Sequence, residues 1–277
     1  MSLRDLLRER GTLMTMNGKI ILITGASSGI GAETAKQFAT LGAHVLLLAR
    51  NAGRLNQMAK GIEDNGGKAD VFPVDVGNWK AVKELANHIG ADIGVPDIII
   101  NNAGGGKWSF IEETEYQEAY DMIAVPYLGA FFITKSFLPD FLKRNSGHIV
   151  NITSFAAVIP FSGATGYIAA RKAMIGFHEA LTADLYGTNI KTSLVYFAKV
   201  ESSFWEHNLG SEERLPSAQK MIPAISTERA AQTIVNGVLK GKKRITAPIM
   251  LDVVESLNHF FPLITRLIMN KTGYKRR

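Results

Sequence analysis

The sequence predicts an α/β fold built on a doubly wound parallel sheet of seven strands, with helices on both faces. Short runs of Val, Ile and Leu alternate along the chain with longer segments whose apolar residues recur at helical spacing. Strands that are buried on both faces are nearly continuous in such residues, and alternating strands and helices are typical of parallel sheets. Ligands of these sheets bind beyond the carboxyl ends of the strands.

The predicted strands cover residues 19–24, 43–49, 69–74, 97–101, 148–153, 190–196 and 244–247. The clearest helical patterns between them cover residues 31–41, 79–89 and 163–185. No internal repeat or Pro/Gly/Ser-rich linker divides the chain. We therefore expect an N-terminal extension over residues 1–18, one α/β domain over residues 19–248, and an amphipathic helical tail over residues 249–277.

Composition and charge exclude several classes of function. The chain has 277 residues and no cysteine, which excludes disulfides, thiolate metal sites and a cysteine nucleophile. Its six histidines form no HxxxH or HExxH pattern, so no metal site is expected. The net charge is +6, but residues 240–277 alone contribute nine basic and two acidic side chains. A nucleic-acid-binding protein carries its basic face on the folded body, so nucleic acid is not an expected partner.

The first predicted strand runs into a glycine-rich turn that a helix follows. Glycine allows strained backbone angles and a close approach to a pyrophosphate. The free N–H groups and the dipole of the helix N-terminus favour an anion. A plain glycine-rich turn is the alternative, but the strand–turn–helix context favours phosphate binding. The residues predicted to bind are Gly25, Ser27, Ser28, Gly29, Ile30 and Gly31.

The second predicted strand ends in Ala49, Arg50 and Asn51. An acidic side chain at this strand end would accept hydrogen bonds from the ribose hydroxyls of NAD, whereas a nearby arginine accommodates the 2′-phosphate of NADP. Neutral Ala49 followed by Arg50 therefore favours NADP(H), with NAD as the alternative cofactor. A solvated arginine without a ligand is the other explanation of Arg50. Asn51 is predicted to line the same site.

These motifs resemble the short-chain dehydrogenase/reductase family, whose members have the Rossmann fold. TGASSGIG at residues 24–31 resembles the family's TGxxxGxG fingerprint. The resemblance covers roughly residues 18–247 and implies an NAD(P)-dependent oxidoreductase that acts on a small carbonyl or alcohol substrate. It also implies that Asp75 bonds the adenine and that residues 102–104 line the adenosine ribose. The further matches, in family order, are Asp75 and Val76, then Asn101, Asn102, Ala103 and Gly104, then Ser154, then Tyr167.

The resemblance also implies a catalytic set. A tyrosine is the acid/base, a lysine four residues later stabilises its phenolate, a serine orients the carbonyl, and a helix asparagine holds water in a proton relay. Tyrosine needs the cation because a pKa of about 10 makes it a poor base at neutral pH. Ser154 and Tyr167 match, but the residue four positions after the tyrosine is Arg171. Lys172 lies about 100° further round a regular helix, so we expect Arg171 to be the cation.

Two other positions depart from the family pattern. Pro126 stands where the family has the relay asparagine; it can keep the helix irregular but cannot donate a side-chain hydrogen bond. The family's P-G-x-V-x-T reads F-A-K-V-E-S at residues 197–202, where Val200 and Ser202 still fit contacts to the nicotinamide amide. The sequence leaves open a reductase with an altered relay and a dinucleotide-binding protein with weak or no hydride transfer.

The resemblance implies that residues 203–223 cover the substrate and that the chain forms a homodimer or homotetramer through helices around residues 115–143 and 163–185. An ordinary loop is the alternative for the covering segment. Five aromatic residues are candidates for an apolar substrate wall or, equally, for the core. They are Phe155, Phe161, Phe197, Phe204 and Trp205.

The tail carries apolar residues three and four positions apart, which predicts one helical stripe, and Pro262 predicts a kink or two short helices. The stripe consists of Met250, Val253, Val254, Leu257, Phe261, Ile264 and Ile268. It can pack against the domain or a partner subunit, contact an anionic membrane surface through its basic end, or belong to a disordered tail.

Charged residues interrupt the leucines of the N-terminus, which is therefore not expected to be a signal peptide. No apolar run reaches the length of a membrane span. We expect a cytoplasmic protein, with membrane association through the tail as the alternative.

Overall fold

A computed structural model describes residues 15–276, apart from the side chain of Lys220. Most of the predicted N-terminal extension, residues 1–14, lies outside the described residues. Seven parallel strands form one sheet in the order β3-β2-β1-β4-β5-β6-β9. The strands are β1 (Ile20–Thr24), β2 (His44–Ala49), β3 (Lys68–Pro73), β4 (Ile98–Asn101), β5 (Gly147–Ser154), β6 (Ile190–Phe197) and β9 (Arg244–Ala247). The predicted seven-stranded Rossmann sheet is confirmed, with each strand end within one residue of the prediction. A second sheet, which the sequence did not predict, pairs β7 (Val200–Glu201) with β8 (Ile225–Ser226).

Helices cover both faces of the large sheet. They are α1 (Gly29–Thr40), α2 (Ala52–Glu63), α3 (Trp79–Asp92), α4 (Tyr116–Ile123), α5 (Gly129–Arg144), α6 (Thr165–Asp184), α7 (Phe204–His207), α8 (Thr227–Leu239), α9 (Met250–Phe260) and α10 (Pro262–Thr272). Short 3-10 turns occur at Ile111–Glu113, Phe155–Ala157, Glu212–Arg214 and Ser217–Met221.

Each face of the sheet has its own hydrophobic core, because successive side chains of a strand point to opposite faces. Ile21 and Ile23 of β1 pack with residues of α1, α2 and α8. Leu22, which lies between them, packs with residues of α3, α5 and α6 on the other face. All three side chains are fully buried. Burying a side chain of this size contributes roughly 1.5–3 kcal/mol, so the central strands are fixed by both layers.

A five-residue π-helical segment, Ala124–Leu128, joins α4 to α5, and Pro126 lies inside it. Proline lacks the N–H of an α-helical hydrogen bond and clashes with an earlier carbonyl, so the predicted irregularity is present. The continuous helix Tyr116–Arg144 has the length and hydropathy of a membrane span. Its face toward the sheet nevertheless supplies Ile133, Phe137 and Phe141 to the core, as expected of a helix that covers a parallel sheet.

The strand order reverses at β1, which lies between β2 and β4. The helices that follow β1 and β4 therefore leave toward opposite faces, and a crevice opens beyond the carboxyl ends of these strands. This is where the sequence places the dinucleotide site.

The tail forms two helices, α9 and α10, with Pro262 as the first residue of the second. This confirms the predicted interruption. The domain buries Leu251 of the tail but leaves most of the stripe exposed, including Val253, Leu257 and Ile264.

A buried histidine links β5 to β6. Nε2 of His148 lies 2.7 Å from Oγ of Ser193, and that hydroxyl donates to the carbonyl oxygen of Lys242 at 2.5 Å. Because the hydroxyl proton is committed to the carbonyl, the imidazole donates to the serine oxygen. Burial, together with the nearby charge of Lys191, lowers the pKa of His148 from 6.5 to about 4.

We expect this histidine to make stability depend on pH. The folded state binds its proton more weakly than the unfolded state does, so its contribution is complete above pH 6.5 and is lost as the pH falls toward 4. Removing the titration should flatten that part of the curve. Urea unfolding of His148→Gln between pH 7 and pH 4.5 should show a smaller loss of unfolding free energy than the parent shows. The exposed His259 provides the control, because His259→Gln should keep the parent's slope. Equal slopes for all three proteins would contradict the assignment.

Candidate active site

The carboxyl ends of β1 and β4 are fastened together by two side chains. Oγ1 of Thr24 accepts hydrogen bonds from the backbone N–H groups of Asn102 and Ala103 at 3.0 and 2.9 Å. The side-chain amide of Asn102 donates in turn to the carbonyl oxygens of Thr24 and Gly25 at 2.9 and 3.3 Å. Asn102 thus holds the glycine-rich turn in place. The family resemblance did not imply this positioning role.

The turn is so close to β4 that its glycines are required. A Cβ on Gly31 would lie 2.4 Å from both the carbonyl oxygen of Gly25 and Nδ2 of Asn102. A Cβ on Gly25 would lie 2.9 Å from Cα of Ala103, and its φ of +68° is in any case left-handed. Gly29 is also left-handed, with φ +56°. Such angles strain any residue with a Cβ.

The N-terminus of α1 is available to an anion. Ser28 is the N-cap residue, but its side chain makes no capping hydrogen bond to the helix. The first N–H groups of a helix have no partner within the helix, and here Gly29 and Ile30 line an open cavity. Free N–H groups, a positive helix end and close backbone approach together fit a dinucleotide pyrophosphate.

One cavity of about 1170 Å³ runs from this turn across the carboxyl end of the sheet. All of the predicted site residues except Gly31 line it; Gly31 lies beneath the turn and permits its close packing. The predicted residues that line the cavity are Gly25, Ser27, Ser28, Gly29, Ile30, Arg50, Asn51, Asp75, Val76, Asn102, Ala103, Gly104, Ser154, Tyr167, Arg171, Val200 and Ser202.

Two arginines lie at the end of the cavity beside β2. Arg50 is exposed at the strand end, and Asn51 caps α2 by accepting from the N–H of Arg54 at 2.9 Å. Arg54 itself also lines the cavity, and its guanidinium lies 3.4 Å from Nε2 of His207 in α7. The sequence analysis missed Arg54, whose only signal is its place in the first turn of α2, four residues after Arg50. The exposed Asp75 opposite accepts from the N–H of Gly77 at 2.9 Å.

The three predicted catalytic side chains converge at the other end of the cavity. Ser154 is the last residue of β5, and its Oγ accepts from the N–H of Ala156 at 3.2 Å. Tyr167 lies in the first turn of α6, and Arg171 follows one turn later on the same helix face. Both are buried. The end of a central strand and the start of the next helix therefore bring all three side chains into one wall.

Arg171 occupies the place beside the tyrosine that the sequence assigned to it. The centre of its guanidinium lies 5.1 Å from the centroid of the Tyr167 ring, and Nη1 lies 3.4 Å from the carbonyl oxygen of Ile152. The guanidinium also lies against Gly104, where a Cβ would come within 2.8 Å of Nη2. Nε is buried without a hydrogen-bond partner. Lys172 is exposed, so it does not take the place of Arg171.

An aromatic cluster adjoins the tyrosine. The ring centroids of Trp108 and Tyr167 are 5.4 Å apart, and Phe204 and Trp205 complete the group. These side chains line the cavity together with Met122 and Leu215. Trp108 was missed from the sequence, because nothing in its flanking residues distinguishes it from a surface or core tryptophan.

Three of the five aromatic candidates line the cavity: Phe197, Phe204 and Trp205. The other two are core residues. Phe161 packs behind Trp108, and Phe155 packs on a separate cluster near Leu251. Aromatic character alone does not distinguish a residue of the cavity wall from a residue of the core.

The predicted covering segment, residues 203–223, lies over this end of the cavity. The indole N–H of Trp205 donates to the carbonyl oxygen of Val200 at 2.8 Å, and Ser211 accepts from the backbone N–H of Trp108 at 2.9 Å. Lys199 forms an ion pair with Glu212. The segment is thus bonded to both sides of the cavity.

The chain is similar in sequence to known proteins. Residues 19–213 match the family model described as short chain dehydrogenase. The chain is 33% identical over 232 residues to a fatty acyl-CoA reductase of Acinetobacter baylyi, and the alignment covers 83% of this chain and 76% of the relative. It is 30% identical over 257 residues to human 17-beta-hydroxysteroid dehydrogenase 13, which covers 92% of this chain and 83% of the relative.

Solved structures share the fold at lower identity. A short chain dehydrogenase/reductase of Burkholderia phymatum in complex with NAD aligns with a TM-score of 0.81 at 23% identity, over 95% of this chain and 100% of that one. A short-chain dehydrogenase of Sphingobium yanoikuyae in complex with NADPH aligns with a TM-score of 0.76 at 22% identity, over 88% of this chain and 95% of that one.

The packing at Gly31 predicts that this position does not accept a side chain. Gly31→Ala should lower stability by about 1–3 kcal/mol, because the new methyl group meets backbone and a fastened amide. Gly90 in α3 is the matched control, since a Cβ there meets nothing within 4 Å; Gly90→Ala should be stabilising by roughly 0.4–1 kcal/mol. Urea unfolding measures both. A Gly31→Ala protein as stable as the parent would show that the turn relaxes.

Proposed function

This chain belongs to the short-chain dehydrogenase family of oxidoreductases, and from that premise we propose that it transfers hydride between NADP(H) and an apolar carbonyl/alcohol pair. The observation that carries the proposal is the convergence of Ser154, Tyr167 and Arg171 at one end of a cavity whose other end is the glycine turn and the start of α1. One continuous cavity therefore joins a phosphate-binding end to an acid/base end.

The residues present fit the cofactor. The N-terminus of α1 would hold the pyrophosphate, and Arg50 with Arg54 would meet the 2′-phosphate that distinguishes NADP from NAD. No acidic side chain stands at position 49 or 50 to accept bonds from a free 2′-hydroxyl. When bound, the nicotinamide supplies or accepts the hydride at the substrate carbon.

Tyr167 is the acid/base of the proposed reaction. Its Oη donates a proton to the carbonyl oxygen during reduction and takes it back during oxidation, while Oγ of Ser154 orients that oxygen by a hydrogen bond. The guanidinium of Arg171 lies beside the ring, where its positive charge would stabilise negative charge that develops on the tyrosine during proton transfer.

Reprotonation of the tyrosine takes a different path from the one the family resemblance implies. Arg171 stays charged and does not pass protons on, and Pro126 offers no side-chain donor. The proton that restores Tyr167 would come from water in the cavity. We therefore expect proton delivery, not cofactor binding, to be the weak step.

The wall of the cavity next to Tyr167 favours an apolar substrate. Trp108, Met122, Phe204, Trp205 and Leu215 present rings and methyl groups on that side. Apolar pockets with few polar groups select hydrophobic ligands. The names of the relatives, a fatty acyl-CoA reductase and a hydroxysteroid dehydrogenase, agree with a lipophilic carbonyl compound.

A second candidate function is dinucleotide binding with weak or no turnover. It rests on the two departures, Arg171 and Pro126, which affect the same proton relay. It predicts cofactor affinity without reduction of any carbonyl compound.

We also propose that the chain forms a homodimer or homotetramer through α4, α5 and α6. The exposed apolar side chains Tyr116, Tyr120, Phe131 and Leu142 along the first two helices support it, since monomers rarely leave such rows uncovered.

Cofactor preference tests the phosphate assignment. NADPH should raise the melting temperature more than NADH at equal concentration, because a ligand that binds only the folded state stabilises it in proportion to its affinity. Arg50→Asp should reduce or reverse the difference, since a carboxylate repels the 2′-phosphate and accepts from the ribose hydroxyls of NADH. Arg229→Asp, an exposed arginine away from the cavity, is the control and should leave the preference unchanged. Equal shifts with both cofactors in every protein would rule out the role of Arg50.

Turnover tests the chemistry. Tyr167→Phe removes only the hydroxyl, and it should lower kcat by about 10²- to 10⁴-fold while the NADPH-induced melting shift persists. Tyr186→Phe, at a position that is 93% exposed, should keep full activity. NADPH oxidation is followed with long-chain aldehydes, polycyclic ketones and small polar carbonyl compounds. Wild-type turnover by Tyr167→Phe contradicts the mechanism, whereas NADPH binding with no reduction across the panel supports the second candidate.

A further inference from the structure

Exposed apolar side chains are concentrated in the tail. Among the residues that the structure describes, ten of the nineteen exposed large hydrophobic side chains fall within twenty consecutive positions. They are Ile249, Met250, Val253, Leu257, Phe260, Phe261, Leu263, Ile264, Leu267 and Ile268. A patch of this density on a folded chain marks a surface that something else covers.

The two helices are fixed to the domain by their other sides. Leu251 of α9 is fully buried, and Met269 of α10 packs into the aromatic cluster that contains Trp108 and Tyr167. Oγ1 of Thr265 donates to Oδ1 of Asn258 at 2.6 Å, which joins α10 to α9. The exposed side is therefore the outer face of a docked helix pair.

Residues after α10 hold the pair in place. Ser162 donates to the carbonyl oxygen of Tyr274 at 2.5 Å, and Arg276 pairs with Glu112 at 2.8 Å. The guanidinium of Arg214 lies 4.9 Å from the ring centroid of Tyr274 and 5.2 Å from that of Phe110. These contacts keep the outer face of α10 in one orientation.

That outer face is apolar with a basic end. Four residues of α10, at positions 263, 264, 267 and 268, fall within an arc of about 140° at 100° per residue, and Lys271 lies within the same arc one turn later. Arg266, Lys271 and Lys275 are exposed, and they form no ion pair with any residue that the structure describes. The acidic side chains of the tail helices are already engaged: Asp252 and Glu255 both pair with Arg244.

We propose that this outer face of α9 and α10 binds an anionic phospholipid surface. The apolar side chains would enter the boundary between headgroups and acyl chains, and the unpaired cations beside them would contact the anionic headgroups. The eleven residues of α10 extend about 16 Å, far less than a hydrocarbon core, so the pair lies on the membrane and does not cross it.

A second copy of the chain fits this face less well. A twofold interface brings the same patch of both subunits together. Arg266, Lys271 and Lys275 of each copy would then approach those of the other, and the tail helices offer no unengaged carboxylate to meet them. Phosphate headgroups supply the missing negative charge.

Vesicle sedimentation of the full chain tests the proposal. The protein should pellet with vesicles of phosphatidylcholine and phosphatidylserine, less with phosphatidylcholine alone, and less as salt is raised, because salt screens exposed charges. Leu263→Ser/Leu267→Ser should weaken binding at least about tenfold, through lost apolar insertion. Lys271→Glu/Lys275→Glu should weaken it by a similar factor for the anionic vesicles only.

Matched variants serve as controls. Tyr186→Ser removes an exposed ring elsewhere, and Lys60→Glu/Lys83→Glu reverses two exposed charges on α2 and α3; both proteins should bind vesicles as the parent does. Thermal unfolding checks that each tail variant is folded. Absence of sedimentation, or equal binding by parent and tail variants, overturns the proposal. So does light scattering without vesicles in which Leu263→Ser/Leu267→Ser alone lowers the oligomer size, since the face is then a protein interface.

Discussion

The hydroxyl of Thr24 and the amide of Asn102 fasten the carboxyl ends of β1 and β4, and the geometry of the site depends on this joint. The joint lies where the strand order reverses. It holds the glycine-rich turn so near to β4 that position 31 has no room for a Cβ. The start of α1 is thereby held facing the cavity. The proposed anion site is thus preformed, which would lower the cost of ordering on binding.

Arg171 is the second constraint. A buried guanidinium without an acidic partner is costly, since a charge taken out of water has to be compensated by hydrogen bonds or an opposite charge. Arg171 has one long bond to a backbone carbonyl, and its Nε has none. Among the described residues, the guanidinium lies beside the ring of Tyr167 and the backbone of Gly104. The guanidinium lies over the face of the Tyr167 ring, and this cation–π contact offsets part of the cost of burial.

The strands and the glycine-rich turn could be predicted because their signals are local. Continuous apolar runs specify strands buried on both faces, and glycine spacing specifies a turn pressed against backbone. The places of Trp108 and Arg54 in the cavity could not be predicted, because both depend on residues that are distant along the chain. Phe204 lies next to the indole of Trp108, and His207 lies next to the guanidinium of Arg54. The small sheet of β7 and β8 has two-residue strands, too short for any period to appear.

The spacing of apolar residues in the tail predicted the helical stripe. It did not predict which side chains of the tail pack against the domain. Helix α10 turns Met269 inward to the cluster around Tyr167 and leaves Leu263, Ile264 and Leu267 outward. One helix therefore packs against the cavity wall beside Tyr167 and also carries the proposed lipid-facing surface. A ligand of the outer face that binds the docked helix pair more tightly than an undocked tail stabilises the docked form. A preference of this kind would couple the proposed membrane contact to the order of the cavity wall beside Tyr167, because α10 contributes to both.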